Sequence, residues 1–424
     1  MYSNCSDSTY RVSSAKDFLM SLASNSKHSL LLFLRIASTQ KVSRMPLNVL
    51  IDTTCITRKK AGVGIYAKNL VHHLLSLDCN VKIYLLVQDD DPDFNYSACP
   101  QVTTIAVPAR IFRFSPLRLL LEQLFIPFLL VRHKIKVLHS LHYSFPLLHP
   151  GVKQVVTLHD MTSFKMPEVH LPLKVIYFHT FIRAAIRFAD KLIFVSYSAQ
   201  KDCADLFHLR KQASTVIHLG KADTFTPSLG SSDHVRHKYN LPPIFLLYIG
   251  TIEPRKNLVR LVSAFASISD LHKDCVLVIA GMKGWMYEDL FRKVRELNIA
   301  SRVIFTGFIS EEDKLDLIRA ATVFVYPSLY EGFGIPVLEA MACGIPTITS
   351  NISSLPEITG NATLLVDPTN EDEIAAALNR LLSSSDLRRE LSKKSILQAA
   401  LFTWDKTATL TMNTYRSLVP TSTQ

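Results

Sequence analysis

The sequence predicts an α/β protein built from two doubly wound parallel sheets that face each other. Short apolar runs, typical of buried strands, alternate along the chain with segments of helical length. The alternation pauses once, in a polar stretch rich in Pro, Ser and Gly at 224–243, and then starts again. A length of 424 residues agrees with this division, because it suits two or three domains.

The expected elements follow from these apolar patterns. In the first half, strands are predicted at 47–52, 81–87, 137–139, 154–158 and 191–196. In the second half, strands are predicted at 245–249, 276–280, 303–305, 323–325, 347–348 and 364–366. Helices are predicted at 117–131, 180–189, 199–207, 372–382 and 386–401. Ser198 is the predicted N-cap of the third helix, and Trp404 and Tyr415 mark a last helix.

Composition limits the class of protein and its partners. No apolar run reaches the roughly 18 residues that a membrane span needs. The 47 Lys and Arg exceed the 36 Asp and Glu, which gives a net charge of +11 and favours anionic partners such as nucleotide diphosphates or a phospholipid surface. Seven scattered Cys without a C-x-x-C pair predict reduced thiols and no zinc site. No nucleic-acid-binding motif is present.

The most informative stretch runs from Glu331 to Glu339. It follows a predicted strand and passes through a Gly-containing loop into a helix that is expected to begin at Pro336. Open α/β sheets bind ligands at the carboxyl ends of their strands, where helix N-termini offer free N–H groups to anions. Taken alone, two Glu eight positions apart are usually solvated carboxylates.

Together with the following segment 340–346, Ala-Met-Ala-Cys-Gly-Ile-Pro, this stretch resembles the signature of the retaining glycosyltransferases of family 4. In that family the first Glu holds the donor sugar and the second binds the ribose hydroxyls of the nucleotide, which are the roles implied for Glu331 and Glu339. The resemblance extends from Leu47 to near Leu418. It implies the GT-B fold, in which two Rossmann-like domains face each other across a cleft.

Two cations are expected at the neighbouring strand end. Arg255 and Lys256 lie in the segment 250–257, Gly-Thr-Ile-Glu-Pro-Arg-Lys-Asn, between a predicted strand and its helix. A solvated pair is the commonest alternative, but the segment resembles the family's phosphate-binding element. Some members carry an Arg directly after the Gly, where this chain has Thr251. Arg255 and Lys256 must therefore supply the charge for the diphosphate.

Glycines supply further donor contacts in this interpretation. Gly62 and Gly64 lie between the first strand and a helix, and such a loop permits close approach to a phosphate, although a plain tight turn is the alternative. The resemblance implies that this loop closes over the donor phosphate and the acceptor. The resemblance also implies that the loop residues Phe333 and Gly334 contact the donor phosphates.

His159 and Asp160 end the strand at 154–158, in a Thr-Leu-His-Asp segment that resembles the family's T-x-H-D element. A neutral His is able to exchange a hydrogen bond with a sugar hydroxyl, and the neighbouring Asp is expected to fix its tautomer. A lone His is more often structural, but the strand-end position favours a contact with the sugar. His159 and Asp160 are therefore predicted to bind the sugar, and His159 and Glu331 are the predicted catalytic residues. Gly307 and Phe308 resemble the element that receives the base.

Two other patterns leave alternatives open. The acidic run 89–93 contains a D-x-D, which holds a metal in a different glycosyltransferase fold, but a Pro-containing turn is preferred. The helix expected at 117–131 is amphipathic and is flanked by basic residues. It is interpreted either as a core helix with a solvated basic fringe or as a face that rests on anionic lipid.

With the resemblance included, five segments are expected. They are a poorly ordered extension at 1–44, an acceptor domain at 45–225, a linker at 226–243, a donor domain at 244–400, and a helix at 401–424 that crosses back to the first domain.

The predicted function is retaining transfer of a hexosyl group from a nucleotide-diphosphate sugar to a hydroxyl acceptor, without a cofactor or metal. The resemblance favours GDP-mannose, with a UDP-sugar as the other choice, and assembly of lipopolysaccharide or exopolysaccharide on a lipid-linked glycan. The expected location is the cytoplasm, at the inner face of the membrane. The alternatives are a nucleotide-sugar epimerase or hydrolase on the same fold, and a non-catalytic protein that binds anionic ligands or membranes.

Overall fold

Apolar strands of the first half of the chain pair in parallel as one sheet. They are β1 (Leu47–Asp52), β2 (Val81–Gln88), β3 (Val102–Val107), β4 (Val137–Ser140), β5 (Lys153–Leu158), β6 (Lys191–Phe194) and β7 (Ser214–Val216). Their order in the sheet is β3-β2-β1-β4-β5-β6-β7. Because the order reverses between β1 and β4, the carboxyl ends of these two strands flank the position where such sheets bind ligands.

A second parallel sheet follows. Its strands are β8 (Phe245–Ile249), β9 (Val276–Ala280), β10 (Val303–Gly307), β11 (Val323–Tyr326), β12 (Thr347–Ser350) and β13 (Leu364–Val366), in the order β10-β9-β8-β11-β12-β13. The reversal point here lies between β8 and β11. All six strands occur where the sequence predicts them. The predicted α/β class with two doubly wound parallel sheets is confirmed.

These elements come from a computed structural model that describes residues 46–56, 62–77, 80–94, 96, 99–112, 115–209, 213–227 and 233–419. The extension predicted at 1–44 lies outside the described residues, as does the end of the segment predicted at 401–424. The domain boundaries at 45–225, 226–243 and 244–400 stay predictions.

Helices cover both faces of the sheets. Those of the first half are α1 (Val63–Ser76), α2 (Ala109–Phe112), α3 (Ser115–Arg132), α4 (Thr162–Lys165), α5 (Pro172–Phe188) and α6 (Tyr197–Leu206). Those of the second half are α7 (Asp233–Lys238), α8 (Leu258–Ile268), α9 (Glu288–Glu296), α10 (Glu311–Ala320), α11 (Ile335–Ala342), α12 (Leu355–Thr359), α13 (Glu371–Ser383), α14 (Ser385–Ala399) and α15 (Trp404–Leu418). Within the described residues, no helix combines the length and apolar character that crossing a bilayer demands.

The prediction for the start of α6 was wrong. Ser196, not Ser198, is the N-cap: its Oγ accepts a hydrogen bond from the backbone N–H of Ala199 at 3.0 Å. The reason is that β6 already ends at Phe194, so the extended residue that turns the chain into the helix comes two positions earlier than expected.

The last helix, α15, packs against the first half of the chain. The Tyr415 hydroxyl lies 2.6 Å from Nδ1 of His139 on β4, and both side chains are buried. The rings of Trp404 and Tyr66, the latter on α1, are 6.3 Å apart. The chain returns to the first sheet beside the segment by which it left it, since the backbone N–H of Lys221 donates to the carbonyl of Phe402 at 3.2 Å.

Candidate active site

Loops at the carboxyl ends of both sheets line a cleft of about 470 Å³. The first half contributes Gly62, His159 and Val195, which follow β1, β5 and β6. The second half contributes the segments after β8, β9, β10 and β11. Since parallel strands bring their carboxyl ends to one edge, residues far apart in sequence meet here.

Glu331 lies at the centre of an ion-pair cluster in this cleft. Its Oε1 is 2.6 Å from Lys256 Nζ, and its Oε2 is 3.0 Å from Arg255 Nη1. Burial by itself would raise the pKa of Glu331, but the charges of Arg255 and Lys256 lower it to about 2. The carboxylate is therefore ionised throughout the physiological range.

Both predicted phosphate-binding cations are already paired. Besides its contact with Glu331, Arg255 donates to Glu253 at 2.6 Å, and Lys256 donates to the Tyr326 hydroxyl at 2.7 Å. The charges of the two cations and the two carboxylates balance. An ammonium group has three N–H donors, so the bonds to Glu331 and Tyr326 leave Lys256 one donor for a ligand.

The loop that carries Glu331 is held by two serines. Ser353 Oγ donates to the Glu331 carbonyl at 2.6 Å, and Ser354 Oγ donates to the Phe333 carbonyl at 2.7 Å. Gly334 then adopts a φ of 114° as the N-cap of α11, so this helix begins at Ile335, one residue before the predicted start. Phe333 and Gly334 both line the cleft beside the helix N-terminus, where the positive end of the helix dipole favours an anion.

At Gly332 the backbones of the two halves approach each other closely. A Cβ added there would lie 2.1 Å from the carbonyl oxygen of His159. Ser196 Oγ also donates to the Gly332 carbonyl, at 2.7 Å. The structure thus brings His159 and the Glu331 loop together, and only glycine fits between them.

His159 is held as a neutral ring with a defined tautomer. Its Nε2 lies 2.8 Å from the carbonyl oxygen of Leu141, and a carbonyl only accepts, so the proton is on Nε2 and Nδ1 is an acceptor. Burial lowers its pKa. The prediction that Asp160 fixes the tautomer was wrong, because Asp160 Oδ1 accepts instead from the backbone N–H and hydroxyl of Thr162.

Glu339 does not line the cleft. It is buried on α11, where its two carboxylate oxygens lie 2.8 and 2.7 Å from Nζ of Lys314. Burial raises the pKa of Glu339 although the Lys314 charge opposes this. Lys314, on α10, does line the cleft. A ligand that reached Glu339 from the cleft would therefore also contact the Lys314 ammonium group.

Lys314 is a candidate that the sequence analysis missed. Its position in the sequence could have revealed it. Lys314 precedes Leu317 and Ile318 by three and four positions, which places it on the same buried face of the helix. A lysine on the apolar face of a helix needs a buried partner. Glu253 was also missed, although it lies in the same 250–257 segment as Arg255 and Lys256 and lines the cleft.

The remaining predicted positions divide into two groups. Gly62 and Phe308 line the cleft, and Phe308 is exposed. Gly64 is instead buried in the first turn of α1, and Gly307 ends β10 without lining the cleft. Any role of these two glycines in binding is therefore indirect.

The acidic run at 89–93 forms a turn. Pro92–Phe94 is a short 3₁₀ helix, Asp93 pairs with Lys68 at 2.8 Å, and Asp89 accepts from the backbone N–H of Ala109. Across the described ranges, no group of three or more His, Cys, Asp and Glu side chains is placed to share a metal ion.

Two parallel sheets that meet at a cleft of paired cations and carboxylates define a protein of the GT-B glycosyltransferase class. Solved structures share the fold. Sucrose-phosphate synthase from Thermosynechococcus elongatus has a TM-score of 0.70 and 23% identity, and covers 88% of this chain and 98% of its own. WaaG, a glycosyltransferase involved in lipopolysaccharide biosynthesis, has a TM-score of 0.67 and 16% identity, with coverage of 87% and 99%.

The family models agree with this class. The model described as Glycosyl transferases group 1 matches residues 231–398, and the model described as Glycosyltransferase Family 4 matches residues 61–221. O-antigen chain mannosyltransferase B from Escherichia coli is 32% identical over 278 residues, which are 65% of this chain and 73% of that protein. The chain belongs to glycosyltransferase family 4, as the sequence resemblance predicted, and is a glycosyltransferase.

The match to other relatives spans a smaller share of their length. O-antigen chain mannosyltransferase RfbU from Salmonella typhimurium is 26% identical over 58% of this chain and 65% of that protein. The serotype-specific mannosyltransferase WbdA from Escherichia coli is 30% identical over 55% of this chain but only 29% of that protein. The epimerase, hydrolase and non-catalytic alternatives find no support in these similarities.

Proposed function

We propose that the protein transfers a hexosyl group, with retention of anomeric configuration, from a nucleoside-diphosphate sugar to a hydroxyl acceptor in the cleft. The observation that carries this proposal is the cluster of Arg255, Lys256 and Glu331 facing His159. It combines cations for a diphosphate with an ionised carboxylate and a neutral imidazole for sugar hydroxyls. Such preorganised charges stabilise a leaving group without reorganisation during the reaction.

Each group has a role in this proposal. Lys256, Arg255 and the positive end of the α11 dipole offset the charge that develops on the departing diphosphate. Glu331 orients the donor sugar, and Nδ1 of His159 accepts a hydrogen bond from a sugar hydroxyl. The family resemblance suggests attack on the same face as the leaving group, with a phosphate oxygen taking the acceptor proton, so no covalent nucleophile is assigned.

The nucleotide end of the donor is assigned to α10, α11 and the loop after β10. Lys314 lines the cleft and offers its ammonium group to the ribose and nearby phosphate, and the family resemblance assigns the ribose hydroxyls to Glu339, which is paired with Lys314 behind it. Phe308 presents an exposed ring beside the cleft, on which a base is able to stack. Gly62, in the loop that joins β1 to α1, would close over the donor phosphate.

GDP-mannose is the favoured donor, because mannosyltransferases are prominent among the relatives. A UDP-sugar is the second choice, since the structural neighbour HepE from Anabaena has been solved with UDP and glucose. The names of the relatives also support an acceptor in O-antigen or related polysaccharide assembly, presented as a lipid-linked glycan at the inner face of the membrane. Calorimetric titration with GDP, UDP and ADP separates the donors, and a disaccharide or glycolipid product establishes transfer.

Replacing Lys256 with Met is expected to weaken nucleoside-diphosphate binding about tenfold to a hundredfold, since a charge-assisted hydrogen bond contributes roughly 1.5–3 kcal/mol. Arg255 keeps Glu331 paired in this variant, so the loop should remain in place. Isothermal titration calorimetry with GDP measures the change. Lys273→Met, at an exposed position, is the matched control. Equal affinity in both variants would contradict the phosphate role of Lys256.

Transfer is expected to continue in excess EDTA at a rate within about twofold of the untreated enzyme. The physical reason is that Arg255, Lys256 and the helix N-terminus carry the positive charge assigned to the diphosphate. Product formation with and without the chelator, followed by addition of Mg²⁺ or Mn²⁺, tests this. A strict requirement for added metal would reopen the interpretation of Asp91 and Asp93 as ligands.

A further inference from the structure

Helix α3 exposes apolar side chains and buries charged ones, unlike an ordinary surface helix. Every exposed side chain from 117 to 131 is large and apolar: Leu117, Leu120, Leu124, Phe128 and Val131. At about 100° per residue these five occupy a stripe only about 80° wide. The charged residues Arg118 and Glu122 are instead buried on the other side. A helix facing water normally shows the reverse arrangement.

Two segments that contact α3 also expose large apolar side chains. Gln123 of α3 accepts from the backbone N–H of Leu147 at 2.8 Å and donates to the carbonyl of Phe145 at 3.0 Å, which fixes the 145–148 loop beside the helix. Arg118 donates to the Tyr177 hydroxyl at 2.7 Å, which fixes the start of α5 there. These segments expose Leu147, Leu148, Leu171, Leu173 and Ile176.

These ten side chains, five on α3 and five on the two neighbouring segments, are called the docking face. Single exposed leucines are unremarkable, but ten on adjoining segments exceed what water-facing surfaces usually show.

Basic residues accompany the docking face. The segment 109–188 contains eleven Lys and Arg but only three Asp and Glu, a surplus of eight out of the chain's net charge of +11. Arg132 and Lys134 are exposed at the end of α3, and Arg183 and Arg187 are exposed further along α5. An apolar stripe bordered by cations is complementary to a lipid surface that carries anionic head groups.

The docking face also lies near the cleft. Trp285, in the loop after β9, donates its Nε1–H to the carbonyl of Val169 at 2.6 Å, and Lys174 of α5 lies over the Trp285 ring. The exposed Leu171 and Leu173 are therefore a few residues from a contact between the two halves of the enzyme. A lipid-anchored acceptor held at this surface would have its hydroxyl close to the cleft.

We propose that the docking face binds an anionic phospholipid bilayer, with the apolar side chains entering the head-group region and the surrounding Arg and Lys contacting lipid phosphates. This deepens the proposed function, which already places the acceptor at a membrane, by assigning the surface that binds the bilayer, and bilayer binding itself needs neither donor nor acceptor. Its consequence for that function is that the acceptor domain meets its substrate at the lipid surface.

Vesicle co-sedimentation of the full chain, without nucleotide sugar, tests the proposal. The wild type should bind phosphatidylcholine vesicles containing about one-third phosphatidylglycerol, and should bind pure phosphatidylcholine vesicles at least about tenfold more weakly. Leu124→Ser combined with Phe128→Ser should reduce binding to the anionic vesicles at least about tenfold. Both positions are exposed, at 65% and 58%, so folding should be unaffected. Leu271→Ser with Leu397→Ser is the matched control, at exposures of 71% and 72% on other surfaces.

Three outcomes would overturn the proposal. The first is wild-type protein that stays in solution with anionic vesicles, and the second is a Leu124/Phe128 variant that binds them as well as its control. The third is a dimer, detected by light scattering, that the same two substitutions dissociate while vesicles recruit no protein, which would make the docking face a contact between copies of this chain. Loss of sugar transfer by itself bears on the cleft and leaves the vesicle result unaffected.

Discussion

Replacing Glu331 with Gln is expected to abolish sugar transfer while nucleoside-diphosphate binding survives. Turnover should fall at least about a thousandfold, or roughly 4 kcal/mol, because the carboxylate that orients the sugar is lost. GDP affinity should stay equal or become tighter, since Glu331 is the anion that competes with a diphosphate for Arg255 and Lys256. Initial rates with saturating donor, and calorimetry with GDP, measure the two effects separately.

The control for this variant is Glu312→Gln, which makes the same chemical change at an exposed position of α10. It should leave both rate and affinity unchanged. Turnover of the Glu331 variant near the wild-type value would remove Glu331 from the mechanism. Loss of GDP binding together with turnover would show that the ion-pair cluster, rather than sugar orientation, depends on this carboxylate.

The opposite responses expected at Glu331 and Lys256 follow from one arrangement. The two side chains are only 2.6 Å apart, yet removing one should weaken GDP binding and removing the other should not. A purely structural ion pair would respond the same way to either change, because both changes remove the same contact from the buried cluster. The contrast between the variants therefore separates ligand binding from simple support of the loop.

Local patterns explain how much of the fold was predictable. The strands β8 to β13 are short buried apolar runs, and all six were found from the sequence. β3 was missed because it lies at the edge of its sheet, with Thr103 and Thr104 in its middle and exposed positions alternating along it. β7 was not identified as a strand either, since it has only three residues, none of them buried. Edge and very short strands lack the continuous burial that the apolar pattern reports.

The candidate site was predictable where its signal is carried by one segment. The Glu331 loop and the Arg255–Lys256 pair were recognised because their residues are consecutive. The partner of Glu339 was not, because Lys314 lies on another helix 25 positions earlier. The partner of His159 is a backbone carbonyl, which has no signature in a side-chain pattern. Contacts that depend on how the two sheets bring loops together appear only in the folded structure.

Glu122 provides a second large effect, on stability rather than turnover. Its side chain is 1% exposed, and neither carboxylate oxygen has a hydrogen-bond partner among the described residues. Burial, with a contribution from the charge of Asp52, raises its pKa to about 8, although Arg118 opposes the shift. In the unfolded chain the carboxyl ionises near its ordinary value of 4.5. The folded state therefore holds a proton that the unfolded state has released.

The buried Glu122 carboxyl makes the protein less stable as pH rises. Below about pH 4.5 both states are protonated and Glu122 contributes nothing, whereas between 4.5 and 8 folding takes up a proton and stability falls as pH rises. Each pH unit in that window costs about 1.4 kcal/mol, so the loss reaches roughly 3–5 kcal/mol at pH 8. Gln carries no titrating group, and Glu122→Gln should therefore be the more stable protein at pH 8 and nearly equal to the wild type at pH 5.

Urea unfolding at pH 5, 6, 7 and 8 measures this difference, with Glu288→Gln on the exposed surface of α9 as the matched control. The control should follow the wild-type profile. Parallel profiles for wild type and Glu122→Gln would mean that the carboxyl is not desolvated in solution. A confirmed difference would show that α3 does bury its charges at a cost in stability, which strengthens the inference that its exposed apolar stripe is retained for contact with a bilayer.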